Sequence, residues 1–141
     1  MPTSGSAFNV EPSVGNHFAW MRTQMALERT LMAATRTAVS LIGFGFTVAQ
    51  FFEKLVVKEP VGGHLRPETP RNLGLALIAA GVVSLVIFTL QYRAAISYME
   101  SGDFSAIAAR SKRPMHVSSY VIALTVIGIG VAAFFSVFAR L

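Results

Sequence analysis

Three stretches of this chain, Thr37 to Phe52, Asn72 to Tyr92 and Val117 to Ala139, contain no Asp, Glu, Lys or Arg. The second and third reach the roughly 20 residues that a helix needs to cross a hydrocarbon core of about 30 Å. The first falls short by about one turn, so it must extend toward its N-terminus, which draws Arg36 into the span and sets Arg29 at its rim. With 53% hydrophobic and 13% charged residues and a mean hydropathy of +0.56, the chain belongs with membrane rather than soluble globular proteins. The expected fold class is an all-α integral membrane protein with three transmembrane helices and an amphipathic N-terminal extension of helix one.

Residues 1–15 mix Pro, Gly, Ser and Thr without apolar period and are expected to form a disordered tail. Residues 16–141 then form one three-helix membrane domain, with spans at about 33–53, 72–93 and 117–139. The helical pattern opens at Asn16 or His17, followed by Phe18, Met21, Met25 and Met32, with Trp20 suited to headgroup depth. Pro60, Gly62, Gly63, Pro67 and Pro70 make Lys54 to Arg71 a loop. Helix two is expected to pass Tyr92 and Arg93 and reach Glu100, where Gly102 stops it. Asp103 then caps a short segment, Phe104 to Ala109, before Arg110, Lys112, Arg113 and Pro114. No basic segment followed by an apolar core and a small-residue cleavage site opens the chain, so no cleavable signal is expected and the first span should direct insertion.

Arg22-Thr23, Arg29-Thr30 and Arg36-Thr37 recur every seven residues, and seven residues return a side chain to nearly the same helix face. The stripe continues as Arg22, Ala26, Arg29, Ala33, Arg36, Ser40, Gly43, Thr47 and Gln50, with no bulky apolar residue in it. Leu27, Leu31, Leu41, Phe44 and Phe46 fall away from it and give the helix a greasy side. The sequence therefore expects Ala26, Ala33, Ser40, Gly43, Thr47 and Gln50 to form a helix-packing or pore-lining seam. Ala76, Ala80 and Ser84 in helix two, and Gly128 and Ala132 in helix three, have the four-residue spacing that lets backbones approach. Gly43-x-Gly45 and Gly128-x-Gly130 read the same way, since they lack the third glycine and strand context of a dinucleotide loop.

Glu28, Arg29 and Arg36 enter helix one and Arg93 leaves helix two, so all four belong on one membrane face. An Arg near the end of a span can snorkel, and Arg36, about 24 Å from Phe52 along the helix, stands near the boundary rather than the midplane. Glu28 projects about 100° from Arg29 and is expected to pair with Arg93 or with an arginine of a neighbouring copy. Clustered guanidiniums at a membrane mouth suit phosphate oxygens, which Arg binds through two parallel hydrogen bonds.

The 12 Lys and Arg divide by side. Arg22, Arg29, Arg36, Arg93, Arg110, Lys112 and Arg113 share one, against Lys54, Lys58, Arg66, Arg71 and Arg140 on the other, which favours a cytoplasmic N-terminus and an external C-terminus. His17, His64 and His116 are scattered over a tail helix and two loops and have no helical metal-ligand spacing. The middle of the spans holds no Asp or Glu for a proton relay. No nucleophile and base, no metal cluster and no cofactor motif is found, so the sequence points away from an enzyme.

Leu27-Glu28-Arg29-Thr30-Leu31, then Ala33-Ala34-Thr35-Arg36-Thr37 and a glycine-bearing apolar run, resembles the YidH-like family of small bacterial inner-membrane proteins, domain of unknown function 202. Asn72 to Ala76 and Tyr92-Arg93-Ala94-Ala95 resemble the second span of that family, and the resemblance covers roughly residues 17–140. The Glu-Arg-Thr and Arg-Ala-Ala are also similar to the membrane domain of the vacuolar transporter chaperone small subunit, in which basic residues line a polyphosphate path. That resemblance points to Glu28, Arg29 and Arg93, and the bacterial pattern adds Arg36. The soluble polymerase domain of the chaperone complex has no counterpart here, so polyphosphate synthesis is not implied.

The expected role is non-enzymatic: an oligomeric pore or subunit of the bacterial inner membrane with a cytoplasmic basic mouth for phosphate-bearing anions, contacted by Glu28, Arg29, Arg36 and Arg93. The alternative is a structural or regulatory membrane subunit whose arginines only set topology and bind anionic lipid. Expected partners are the bilayer, further copies of the chain or a larger membrane complex, and anionic lipid or polyphosphate, but no nucleic acid.

Overall fold

The computed structural model describes residues 11–58, 68–100, 104, 107 and 117–139, with side chains given for all but 52–58, 68–70 and 117. Three helices carry the structure: α1 Val14–Lys58, α2 Glu68–Glu100 and α3 Val117–Phe138. Each contains a stretch long and apolar enough to cross a bilayer, and among the described residues there is no strand. The chain is an all-α, multi-pass membrane protein.

Helix α1 begins two residues before Asn16 because Ser13 caps it. The Ser13 hydroxyl accepts from the Asn16 amide at 3.2 Å, and the Ser13 carbonyl from the His17 amide at 3.0 Å. It also runs past Phe52 to Lys58, since Glu53-Lys54-Leu55-Val56-Val57-Lys58 contains no breaker. The helix ends at Lys58, two positions before Pro60 in the sequence, and a proline disfavours helix in the residue that precedes it. At its other side the expected loop is shortened again, because Pro70 falls in the first turn of α2, where a missing amide hydrogen costs nothing. At 45 residues, α1 is about 68 Å long, roughly twice a hydrocarbon core, so its N-terminal half lies largely beyond the span. The expected end of α2 at Glu100 matches the observed one, and α3 ends at Phe138, one residue short of the expected span. The tail to residue 10, the glycine-proline loop, His64, His116, Asp103, Arg110, Lys112, Arg113 and Arg140 lie outside the described residues.

Water supplies no driving force between helices in lipid, so packing depends on how closely backbones approach. Helix α1 buries Gln24, Leu31, Thr35, Ala38, Ile42, Gly45 and Ala49. Helix α2 buries Gly74, Ile78, Gly81, Leu85, Thr89, Tyr92 and Ile96, and α3 buries Ala123, Gly130 and Val137. Steps of three, four and seven keep these on one face of each helix. The close approach is made by Gly45, Ala49 and Gly74 between α1 and α2, and by Gly130 against Val82 and Ile42. The small residues of the expected seams stand outside these contacts: Gly43, Ala76, Ala80, Gly128 and Ala132 are exposed on the protomer, and a Cβ added to Gly43 or Gly128 would meet nothing within 4 Å among the described residues beyond its own helix backbone.

The buried threonine hydroxyls are satisfied locally. Thr35 donates to the Leu31 carbonyl at 2.8 Å and Thr89 to the Leu85 carbonyl at 2.7 Å. The greasy side of α1 divides, with Leu31 in the core, Leu27 and Leu41 half-buried, and Phe44 and Phe46 on the outside. There they join Val39, Phe88, Ile122, Ile129 and Phe135 in an apolar exterior of the kind lipid tails cover.

Candidate functional site

The Trp20 indole N–H donates to the Met99 carbonyl at 3.1 Å, tying the N-terminal half of α1 to the last turn of α2. Arg93 near that end of α2 reaches Tyr120 in the first turn of α3: its Nη1 donates to the phenol oxygen at 3.4 Å, and its guanidinium carbon lies 5.7 Å from the ring centroid. These contacts bring the entry of α1, the exit of α2 and the start of α3 to one end of the bundle, where the sequence placed Glu28, Arg29, Arg36 and Arg93 together.

At that end an open groove of about 470 Å³ is lined by Met25, Glu28, Arg29, Met32, Ala33, Arg36 and Ser119. Spacings of three and four put the α1 residues on neighbouring faces, and the first turn of α3 supplies Ser119. Three of the four sequence-derived contact residues thus share one cavity. Arg93 is outside its lining and touches Tyr120, the residue after Ser119. Met25, Met32 and Ser119 were not singled out as site residues. The methionines were visible only as part of a helical period, and Ser119 reaches α1 through tertiary packing that carries no local signal.

Arg29, Arg36 and Arg93 are exposed, and Glu28 is half-buried. The Oε1 of Glu28 is removed from solvent and has no hydrogen-bond partner among the described residues. Arg93 engages Tyr120 instead of meeting it. A carboxylate oxygen withdrawn from water without a donor costs about 1–3 kcal/mol or more, so this atom is primed for a cationic or donor group. The hydroxyl of buried Tyr92 likewise has no partner among the described residues and lies within electrostatic range of the Glu28 and Glu100 carboxylates. The groove therefore joins two guanidiniums, an unsatisfied carboxylate and two thioether side chains.

The outward stripe of α1 runs from this groove along the span. Ala26, Ala33, Ser40, Gly43 and Thr47 are exposed on the three-helix unit, and Gln50 is half-buried. Its hydroxyls are not stranded: Ser40 donates to the Arg36 carbonyl at 3.1 Å and Thr47 to the Gly43 carbonyl at 2.8 Å. The threonines of the three Arg-Thr pairs do the same, Thr23 to Ala19, Thr30 to Ala26 and Thr37 to Ala33. Such back-bonding lets the stripe enter an apolar medium with its polar atoms paired.

Among the described residues no three His, Asp or Glu side chains gather at metal-binding range. No curated protein and no solved structure matches the chain. The family model described as Domain of unknown function (DUF202) matches residues 22–98, more than half of the chain and the segment that supplies every groove residue except Ser119, and the protein belongs to that family.

Proposed function

We propose that this protein is a non-enzymatic subunit of the bacterial cytoplasmic membrane that binds phosphate-bearing groups at the cytoplasmic end of its bundle. The observation that carries this reading is the meeting of Arg29 and Arg36 in one groove with Ser119 at the start of α3. Two forked guanidiniums offer paired donors to phosphate oxygens, and the amides of a helix's first turn add partial positive charge. The excess of Lys and Arg on this side supports a cytoplasmic N-terminus. The resemblance to the vacuolar transporter chaperone membrane domain supports a phosphate ligand.

The phosphate has two sources, a lipid headgroup or a soluble polyphosphate, and the groove's chemistry serves both. Copies of the chain meeting along the α1 stripe would bring several such mouths together, as a path for soluble anions requires. A lipid-binding structural subunit is the second reading, favoured by the groove's opening on the exposed flank of α1 beside the apolar exterior.

The test measures binding of labelled polyphosphate and of phosphatidylglycerol to purified protein at one fixed salt concentration, because these contacts are screened. Arg36→Leu should lose binding without loss of fold, since it removes a charge from a membrane helix. Arg36→Lys should keep insertion and bind several-fold more weakly because the fork is lost. Binding of phosphatidylglycerol alone selects the lipid reading. Equal binding of both ligands by wild type and by Arg29→Leu and Arg36→Leu variants would leave the arginines as topology signals only.

A further inference from the structure

We propose that the groove between α1 and α3 is a site for a phospholipid whose headgroup carries a primary ammonium beside its phosphate, Arg29 and Arg36 taking the phosphate and Glu28 the ammonium. This rests on the reading above that the arginines bind phosphate, and it names the headgroup class. A site for simple anions has no use for a carboxylate, yet Glu28 lines the groove alongside both arginines. Its Oε1 is out of solvent and without a hydrogen-bond partner among the described residues. A carboxylate with one unsatisfied oxygen and two guanidiniums in one groove make a surface of opposite charges, which is the charge pattern of an aminophospholipid headgroup in reverse.

A primary ammonium carries three N–H donors and can satisfy the Glu28 carboxylate once that half-buried side chain turns Oε1 toward the groove, whereas a trimethylated ammonium carries none. Met25 and Met32 offer the apolar surface that the glycerol and upper acyl carbons need, and methionine adapts to irregular chains. Phe18 and Tyr98 are exposed on the α1 and α2 segments that meet at this end, and such aromatic side chains suit headgroup depth. A soluble ligand would leave the methionine surface unused, so the lipid is the source.

The experiment titrates purified full-length protein in neutral detergent with phosphatidylethanolamine, phosphatidylcholine or phosphatidylglycerol and counts bound lipid by native mass spectrometry. Wild type should bind phosphatidylethanolamine about tenfold more tightly than either other lipid, the worth of one charge-assisted hydrogen bond. Glu28→Gln, nearly the same in shape, should erase that preference and leave phosphatidylglycerol binding undiminished, and Glu28→Asp should restore part of it. Arg36→Leu should weaken all three lipids alike. Soluble glycerophosphoethanolamine should compete poorly, and competition equal to the lipid's would overturn the lipid assignment. Wild type without preference, or Glu28→Gln with the preference intact, overturns the ammonium assignment while the phosphate reading stands. Undiminished binding by Arg36→Leu instead removes the phosphate reading itself.

Discussion

Gly45 and Gly74 face each other so closely across α1 and α2 that a Cβ on Gly45 would stand 2.7 Å from the Gly74 carbonyl oxygen, and one on Gly74 2.6 Å from the Gly45 carbonyl oxygen. Backbone atoms, not movable side-chain tips, occupy the space. Gly45→Ala or Gly74→Ala must therefore push the helices apart, at a cost of about 1–3 kcal/mol that outweighs the gain in helix propensity of about 1 kcal/mol. Gly43→Ala and Gly128→Ala, which meet nothing, should be neutral or slightly stabilising to the isolated protomer. Thermal unfolding in detergent under monomeric conditions separates the pairs, and equal melting temperatures for Gly45→Ala and Gly43→Ala would contradict the packing.

The contact between Arg93 and Tyr120 predicts a structural phenotype. Its 3.4 Å hydrogen bond is long, while the guanidinium lies 5.7 Å from the ring centroid. Tyr120→Phe, which keeps the ring, should cost under about 0.5 kcal/mol, and Tyr120→Leu about 1 kcal/mol. Hydrogen exchange in the first turn of α3 is the measurement. Exchange as fast in Tyr120→Phe as in Tyr120→Leu would show that the hydrogen bond, not the ring, holds the two helices.

Much of this fold is written in local signals, because apolar length alone decides a membrane helix. Val117–Phe138 and the end of α2 at Glu100 could be located from hydropathy and from Gly102. The intramolecular contact face was harder to read. Both α1 stripes, Ala26 to Gln50 and Gln24 to Ala49, carry small residues at spacings of three and four. Only the tertiary position of Gly74 distinguishes the inner one. The charged end was legible because Glu28, Arg29 and Arg36 are near one another in sequence. Ser119, and Tyr120 as the partner of Arg93, come from a helix more than 80 residues later than Arg36 in the chain. No periodicity can announce such a meeting.

Trp20 fixes the long N-terminal extension of α1 by donating to a carbonyl in the last turn of α2. Trp20→Phe keeps most of the ring area but abolishes that donor, with an expected loss of about 1 kcal/mol confined to this end. Amide exchange near Met99 should quicken while that around Ile78 and Leu85 stays slow. Unchanged protection at Met99 would mean that packing, not the hydrogen bond, anchors the extension.

Topology is predicted with residue 63 and the C-terminus outside the cytoplasm and the groove inside. The contacts of Trp20 with Met99 and of Arg93 with Tyr120 place the ends of three helices on one side, so a single reporter cannot flip alone. Fusions of a cytoplasm-active and a periplasm-active reporter at Gly63 and at Leu141 should both register outside. Cytoplasmic signals from both would invert the assignment and with it the compartment of the groove.

The outward stripe of α1 yields the last prediction. Its exposure on the protomer leaves it to lipid or to another copy, and the paired hydroxyls of Ser40 and Thr47 show that polarity alone does not force it against protein. Small size is the remaining argument. Lipid tails gain little from a groove of Ala33, Ser40 and Gly43, whereas a second helix can settle into it and gain dispersion contacts along two turns. Ser40→Cys and Gly43→Cys should therefore cross-link between copies in native membranes, while Phe46→Cys, on a different exposed face, should not. Gly43→Leu should weaken the assembly yet leave protomer stability unchanged, because a Cβ there meets nothing within 4 Å among the described residues beyond its own helix backbone. Cross-linking at Phe46 in place of Ser40 and Gly43 would move the interface to the apolar exterior and leave the stripe facing lipid.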